Sequence, residues 1–247
     1  MTFKPPAERR VSKAVSRLFS GLLIFLSMAA GKTIAQTIDL DFNFRRGPLG
    51  WTSDFSSYPP YTNENGIYQL ASGPRYTPRK LTHVPIRSYY VQGNNRSGAL
   101  VMFMKRRMTT SDGIVAGQSY RLEYDLTLAG DAPKHCVGIG APPGEGVYLR
   151  VGGSTIEPIP VLQPNRFLEL NIDLWTATSA AGDIVNGFEC EWAYPVFPFN
   201  SFQRSAQHQS VTAGPNGELW LFVGTKSLFE GLTRLYYQDI RVRLIPV

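Results

Sequence analysis

Cysteine is nearly absent from this 247-residue chain, with two in all, Cys136 and Cys190. That excludes a disulfide-rich miniprotein, and without a CxxC pair it excludes the common zinc frameworks. Histidine is scarcer than its usual roles require: of His83, His135 and His208, only His135 neighbours a cysteine, and no HxxxH spacing occurs. GxSxG, HExxH and the phosphate-cradling GxxxxGK[ST] are all missing. No apolar run reaches the roughly 20 residues that a spanning helix needs. Helical periodicity is also nearly absent. Charge is modest at 18% of residues, while 43% are hydrophobic, which excludes a disordered chain.

The net charge of +6 is unevenly placed. Lys4, Arg9, Arg10, Lys13, Arg17 and Lys32 face a single acid, Glu8, within residues 1–35, leaving 19 basic and 18 acidic groups beyond. A basic stretch followed by the apolar run LFSGLLIFLSMAA at 18–30 reads as a secretory signal peptide. Cleavage is expected after Ala35, making Gln36 the new N-terminus, with Gly31 as the alternative point; an uncleaved anchor is the other reading of the segment. No cysteine at the junction offers a site for lipid attachment. The expected product, residues 36–247, is secreted or periplasmic, nearly neutral and without a membrane span. In such an oxidising compartment Cys136 and Cys190 are expected to pair, with two free thiols or a metal pair as the alternative. Closing a loop of about 55 residues stabilises a fold by roughly 4 kcal/mol in the chain-entropy model.

Period-two alternation recurs after residue 36. Leu122, Tyr124, Leu126 and Leu128 alternate with Glu123, Asp125 and Thr127; Leu40, Phe42 and Phe44 alternate with Asp39, Asp41 and Asn43; Ile240, Val242 and Leu244 alternate with Arg241 and Arg243. Two segments, LVMFM at 100–104 and LWLFV at 219–223, are apolar on both faces, so each is either covered twice or carries an aromatic surface. Turns are expected at Gly93-Asn94-Asn95, Ser111-Asp112-Gly113, Pro142-Pro143-Gly144, Gly152-Gly153 and Pro215-Asn216-Gly217. Many strands with Gly/Pro turns and no crossover helices predict a single all-β domain, an antiparallel sandwich of jelly-roll type. The aromatic- and proline-rich stretch 177–209 reads as a long excursion over one end, tied down by Cys190.

Phe42-Asn43-Phe44 followed by Gly50-Trp51, then 117–122 (GQSYRL) and 235–240 (LYYQDI), resembles the opening, a central strand entry and the closing strand of galactose-binding-like jelly-roll carbohydrate-binding modules. A group of secreted bacterial β-sandwich proteins with no assigned activity is similar at further points. These are Gly50-Trp51 with Asp54-Phe55 and Tyr58-Pro59, Gly93-Asn94-Asn95, Cys136 to Gly140 with Pro143-Gly144-Glu145, 182–187 (GDIVNG) and 219–237. In that group acids follow the Asn-Asn segment and the Gly-Thr pair; here Gly98-Ala99 and Lys226 stand instead. The first resemblance implies a jelly roll and a structural Ca²⁺ between first and last strands, for which Asp41 and Asp239 are the local analogues. The alternative for that pair is a solvated polar face, and Phe44, where an EF-hand needs glycine, excludes that loop.

Sugar rings stack their C–H faces on exposed aromatics while amides and charged groups hold their hydroxyls. Tyr58, Tyr61, Trp175 and Trp192 lie in loop-like contexts and are the aromatic candidates, with Asn94 and Asn95 either as ligand groups or as turn residues. Trp51 and Trp220 read as core. A strand-borne ExDxxE is begun by Glu123 and Asp125 but broken by Leu128; Glu145, Asp173, Glu191 and Glu230 remain as loop carboxylates, Glu145 and Glu230 being the pair expected of an enzyme. The one basic run, Lys105-Arg106-Arg107, is divided between faces by strand alternation, and nothing supports nucleic acid as a partner. The favoured expectation is a non-catalytic module for carbohydrate or another envelope component. A hydrolase or lyase using loop carboxylates is the alternative, and a structural or protein-interaction domain the third reading.

Overall fold

The computed structural model describes residues 1–2, 36–79, 82, 84–133, 135–173, 190 and 204–247, with backbone alone over 204–209. The strands are β1 (Ile38–Asn43), β2 (Thr52–Ser56), β3 (Ala71–Tyr76), β4 (Arg87–Asn94), β5 (Leu100–Met108), β6 (Ser119–Gly130), β7 (Val147–Ser154), β8 (Pro160–Leu162), β9 (Leu168–Leu170), β10 (Arg204–Thr212), β11 (Leu219–Ser227) and β12 (Leu232–Pro246). Among the described residues they form two antiparallel sheets packed face to face as a jelly-roll-type sandwich. The first runs β10-β6-β12-β4-β3 with β1 also on β12, and the second runs β2-β5-β11-β7. A separate hairpin, β8–β9, completes the set.

β12 holds the first sheet together. One edge pairs with β6 from Leu235↔Gly130 to Pro246↔Tyr120. The other edge is shared, β4 taking Leu232 to Tyr237 and β1 taking Asp239 to Leu244. At the handover the register against β6 shifts between Tyr237 and Asp239. One extra residue reverses which parity faces the core. Leu235 and Tyr237 point inward before the bulge and Ile240, Val242 and Leu244 after it, all at most 2% exposed. Leu122, Tyr124, Leu126 and Leu128 of β6 meet them from the same sheet, opposite Met102 and Met104 of β5, Leu221 and Val223 of β11 and Leu149 and Val151 of β7. Trp51 is core as expected, 2% exposed and edge-on to Phe42 at 5.5 Å.

The two-faced apolar strands prove to be covered on both sides. Val101, Phe103 and Phe222 point away from the main core, yet each is only 1% exposed, because Leu170 and Ile172 at the end of the β8–β9 hairpin pack on them. Lys105 fixes the approach to that hairpin: its buried Nζ lies 2.7 Å from both Pro158 O and Glu157 Oε1. Trp220, on this outer face, is half-buried rather than core. Alternation separates the basic run, with Arg106 stacking on Phe42 at 4.3 Å and bonding Asp112, and exposed Arg107 pairing with Glu218.

Two turn expectations and the bounds of the excursion shift. Gly93 and Asn94 end β4, so only residues 95–99 turn. Gly152-Gly153 lies inside β7, not in a loop. A Cβ on Gly153 would stand 2.6 Å from Leu122 Cδ1 and 2.9 Å from Val211 Cγ1, so glycine is needed there for close approach of the two sheets. The excursion over 177–209 ends sooner, since β10 begins at Arg204; residues 174–189 and 191–203 lie outside the described residues.

Leu126 is fully buried at the centre of β6. Leu126→Ala should lower stability in urea by about 2–5 kcal/mol, the range for a leucine truncated in a packed core. Arg121→Ala, on the outer face of the same strand, should stay within about 0.5 kcal/mol of wild type.

Candidate functional site

The antiparallel connections gather at one end. β2, β4, β6 and β11 all finish there, so residues 57–70, 95–99, 131–146 and 228–231 emerge side by side. Hydrogen bonds tie these loops to one another. Asn94 N donates to Tyr68 O (2.6 Å), Asn95 N to Gly231 O (2.9 Å), Leu228 N to Gly146 O (2.8 Å) and Glu230 N to Ile139 O (2.8 Å). The disulfide Cys136–Cys190, Cα atoms 5.0 Å apart, fastens the 131–146 loop to the chain between Asp173 and Arg204.

The sequence-chosen residues divide at this end. Tyr61, on the 3₁₀ turn Pro60–Asn63, is 51% exposed. Tyr58 is half-buried, its ring 5.1 Å from that of Tyr68. Its phenol is raised above the ordinary tyrosine value by burial first, then by the nearby Asp54 and Tyr68. Asn94 and Asn95 are drawn inward, at 4% and 0% exposure, and their amides serve backbone groups instead of facing a ligand. Sequence proximity to Gly93 suggested an open turn; the extra strand residues pull both side chains under the loops. Glu145 accepts from His135 N at 3.0 Å within its own loop. Glu230 is exposed beside Gly98 and Gly140. Trp175, Glu191 and Trp192 lie outside the described residues.

A cavity of about 390 Å³ opens at the same end. Val101, Leu170 and Ile172 floor it, and Ser57, Glu169, Asn171, Asp173 and Lys226 form its polar wall. Ser57 Oγ donates to Glu169 Oε2 (2.8 Å), and Leu168 N to Tyr58 O (2.9 Å), so the hairpin and the Tyr58 loop build the wall jointly. Through Ile172 and Asp173 the cavity meets a second of about 450 Å³ over Phe222 and Gly152 to Ile156. Both volumes fall in the range of small-molecule sites. Ser57, Glu169 and Asn171 escaped sequence reasoning because none belongs to a motif. Lys226 had a signal, its departure from the acidic position of the similar group.

Asp41 and Asp239 lie away from this end, on the outer face of the first sheet. In the cross-strand rows Arg243 lies between Asp39 and Glu123, and Arg241 between Asp41 and Asp125. Asp239, its side chain 14% exposed, has Arg241 Nε at 3.4 Å from Oδ2, while its buried Oδ1 has no hydrogen-bond partner. Its carboxyl is pushed up to about 6 by burial first, then by hydrogen bonding and like charge from Asp41, with Arg241 and Arg46 pulling the other way. A partnerless buried carboxylate oxygen beside a second carboxylate suits a cation in charge and chemistry. Two side chains supply only part of the six to eight oxygens that calcium takes, and among the described residues no three His, Cys, Asp or Glu side chains gather as a ligand set.

No family model matches the chain, and no curated protein does. Among solved structures, a cleaved adhesin domain of Lys-gingipain from Porphyromonas gingivalis aligns over 83% of this chain and 96% of its own, at 10% identity and TM-score 0.38. TmCBM61, solved in complex with β-1,4-galactotriose, aligns over 81% and 92% at 8% identity and TM-score 0.32. TmCBM27, a carbohydrate-binding module that recognises mannan, aligns over 85% and 98% at 12% identity and TM-score 0.32. The chain thus resembles carbohydrate-binding modules and adhesin domains distantly. At these scores the likeness carries no argument about ligand, and the sandwich rests on its own strand pairing.

The raised carboxyl of Asp239 sets a pH dependence. The native state holds this proton up to about pH 6, the unfolded chain only to about 3.9, so the group's contribution to stability is lost as pH rises through that window. Asp239→Asn should therefore raise the thermal midpoint at pH 7 and flatten its rise between pH 6 and pH 4. Thermal melts across pH 4–8 in excess chelator check this; a variant curve parallel to wild type would refute it.

Proposed function

We propose that the protein is an exported, non-catalytic binding module that takes carbohydrate, as free glycan or as part of a cell-envelope component, at the loop-bearing end of its sandwich. The observation that carries this reading is a cavity of about 390 Å³ with a polar wall and apolar floor, one wall residue of which, Ser57, belongs to the loop that bears the Tyr58–Tyr68 pair and exposed Tyr61. An aromatic ring offers a face to sugar C–H groups, and carboxylates such as Glu169 accept from hydroxyls. The hydrogen bonds between loops and the Cys136–Cys190 disulfide keep the parts in place before the ligand arrives, which lowers the ordering cost of binding. Export is supported by the segment 1–35 and by the disulfide. Trp192, two residues after Cys190, belongs to the same proposal by its place in the chain.

Asp41 and Asp239 are proposed to hold a structural calcium remote from the ligand, supplying charge balance to β1 and β12. Calcium should then raise the thermal midpoint of the wild type at pH 7 and leave Asp239→Asn unmoved. An equal response of both proteins, or none in the wild type, refutes the site.

For the ligand, a glycan array followed by titration of the strongest hit is the test. Tyr61→Ala should weaken binding roughly three- to tenfold, the scale of one aromatic contact. Because Tyr61 is exposed, the thermal midpoint should not move. Absence of any glycan signal, or undiminished binding by Tyr61→Ala, sinks the reading.

A further inference from the structure

Asn95 is fully buried, and its amide joins its own turn to a segment more than 130 residues away. Its Nδ2 donates to Ser227 O and Phe229 O, both at 3.0 Å. Its Oδ1 accepts from Ser97 N (3.1 Å) and Leu100 N (3.3 Å). A flipped amide would set oxygen against two carbonyls and nitrogen against two N–H groups, so the partners fix its orientation. Ser97 Oγ then donates to Ser57 O at 2.8 Å, reaching the Tyr58–Tyr61 loop. On the other side, Leu228 N and Glu230 N donate to Gly146 O and Ile139 O in the disulfide-bearing loop. One continuous set of bonds runs from residues 57–70 through Ser97 and Asn95 to 228–231 and on to 131–146.

We infer that Asn95 is the positioning residue of the loop end, acting on ligand only through the loops it joins. As a statement about binding, this rests on the carbohydrate reading of that end; as a statement about loop order it does not. Only an amide serves here. Aspartate has the same shape but offers two acceptors to two carbonyls, and alanine leaves two carbonyls and two N–H groups without their partner. The strands do not depend on it, since β6 and β12 are paired along their lengths by backbone bonds of their own.

Hydrogen exchange of backbone amides on the purified protein tests this directly, with Asn95→Asp and Ser97→Ala beside the wild type. Asn95→Asp should speed exchange in residues 57–70, 131–146 and 228–231 by about tenfold or more, the effect of losing two buried hydrogen bonds, while β6 and β12 keep wild-type protection. Ser97→Ala should release 57–70 alone, leaving 131–146 protected. With the best array glycan as probe, Asn95→Asp should lose about tenfold in affinity and Ser97→Ala less. Faster exchange spread evenly through the strands, failure of Asn95→Asp to fold while Ser97→Ala opens nothing, or loops that stay protected overturns the inference. A wild type that binds no glycan while its loops open in this pattern contradicts the carbohydrate reading and leaves the loop-ordering role standing.

Discussion

The strand Leu232–Pro246 is the constraint on which the rest of the structure depends. Because β6 pairs along nearly all of one edge, the other edge must serve two partners, β4 and then β1. The bulge between Tyr237 and Asp239 lets one chain do this while its apolar residues stay inward on either side of the handover. The same arrangement sends the β4–β5, β6–β7 and β11–β12 connections out at one end. A site assembled from those loops follows from the pairing, not from any local motif.

The interior of the strands was legible because alternation is a local property. The runs ending in Leu128 and Leu244 each display two faces within one segment, and burial follows that pattern residue by residue. The cysteine pair was legible for a different reason, since two cysteines in an oxidising compartment leave one pairing. Local pattern could not say which cover the doubly apolar strands receive. Leu170 and Ile172 reach Phe103 and Phe222 from a separate hairpin, and nothing in either sequence names the other. Gly153 misled for a related reason: a glycine reads as a turn unless the side chains of Leu122 and Val211 pressing on it are known.

For the candidate site, the sequence indicated the loop end but neither the cavity-wall residues Ser57, Glu169 and Asn171 nor the roles of the residues chosen. Tyr58, Tyr61, Asn94, Asn95, Glu145 and Glu230 all belong to the end where the loops meet or to the strand tip beside it. Their roles depend on partners far away in the chain. Asn95 bonds residues more than 130 positions distant, which turns a candidate ligand group into an internal tie. Glu145 spends an oxygen on a neighbouring amide, and Tyr58 leans on Tyr68, leaving Tyr61 as the tyrosine of the pair that faces solvent. The Asp41–Asp239 pair was singled out by resemblance, and the register then sets the two like charges together near two arginines.

Electrostatics and packing point the same way for the rest of the surface. The outer face of the first sheet interleaves acids with Arg241 and Arg243 in cross-strand rows, exposed pairs worth little to stability. The most direct measurement of the central claim, binding at the loop end, is NMR chemical-shift mapping of the isotope-labelled protein titrated with the glycan that binds it best. Shifts should concentrate in residues 57–70, 95–99, 168–173 and 226–231. Shifts centred on the outer face of the first sheet, around Arg241 and Asp125, would contradict it.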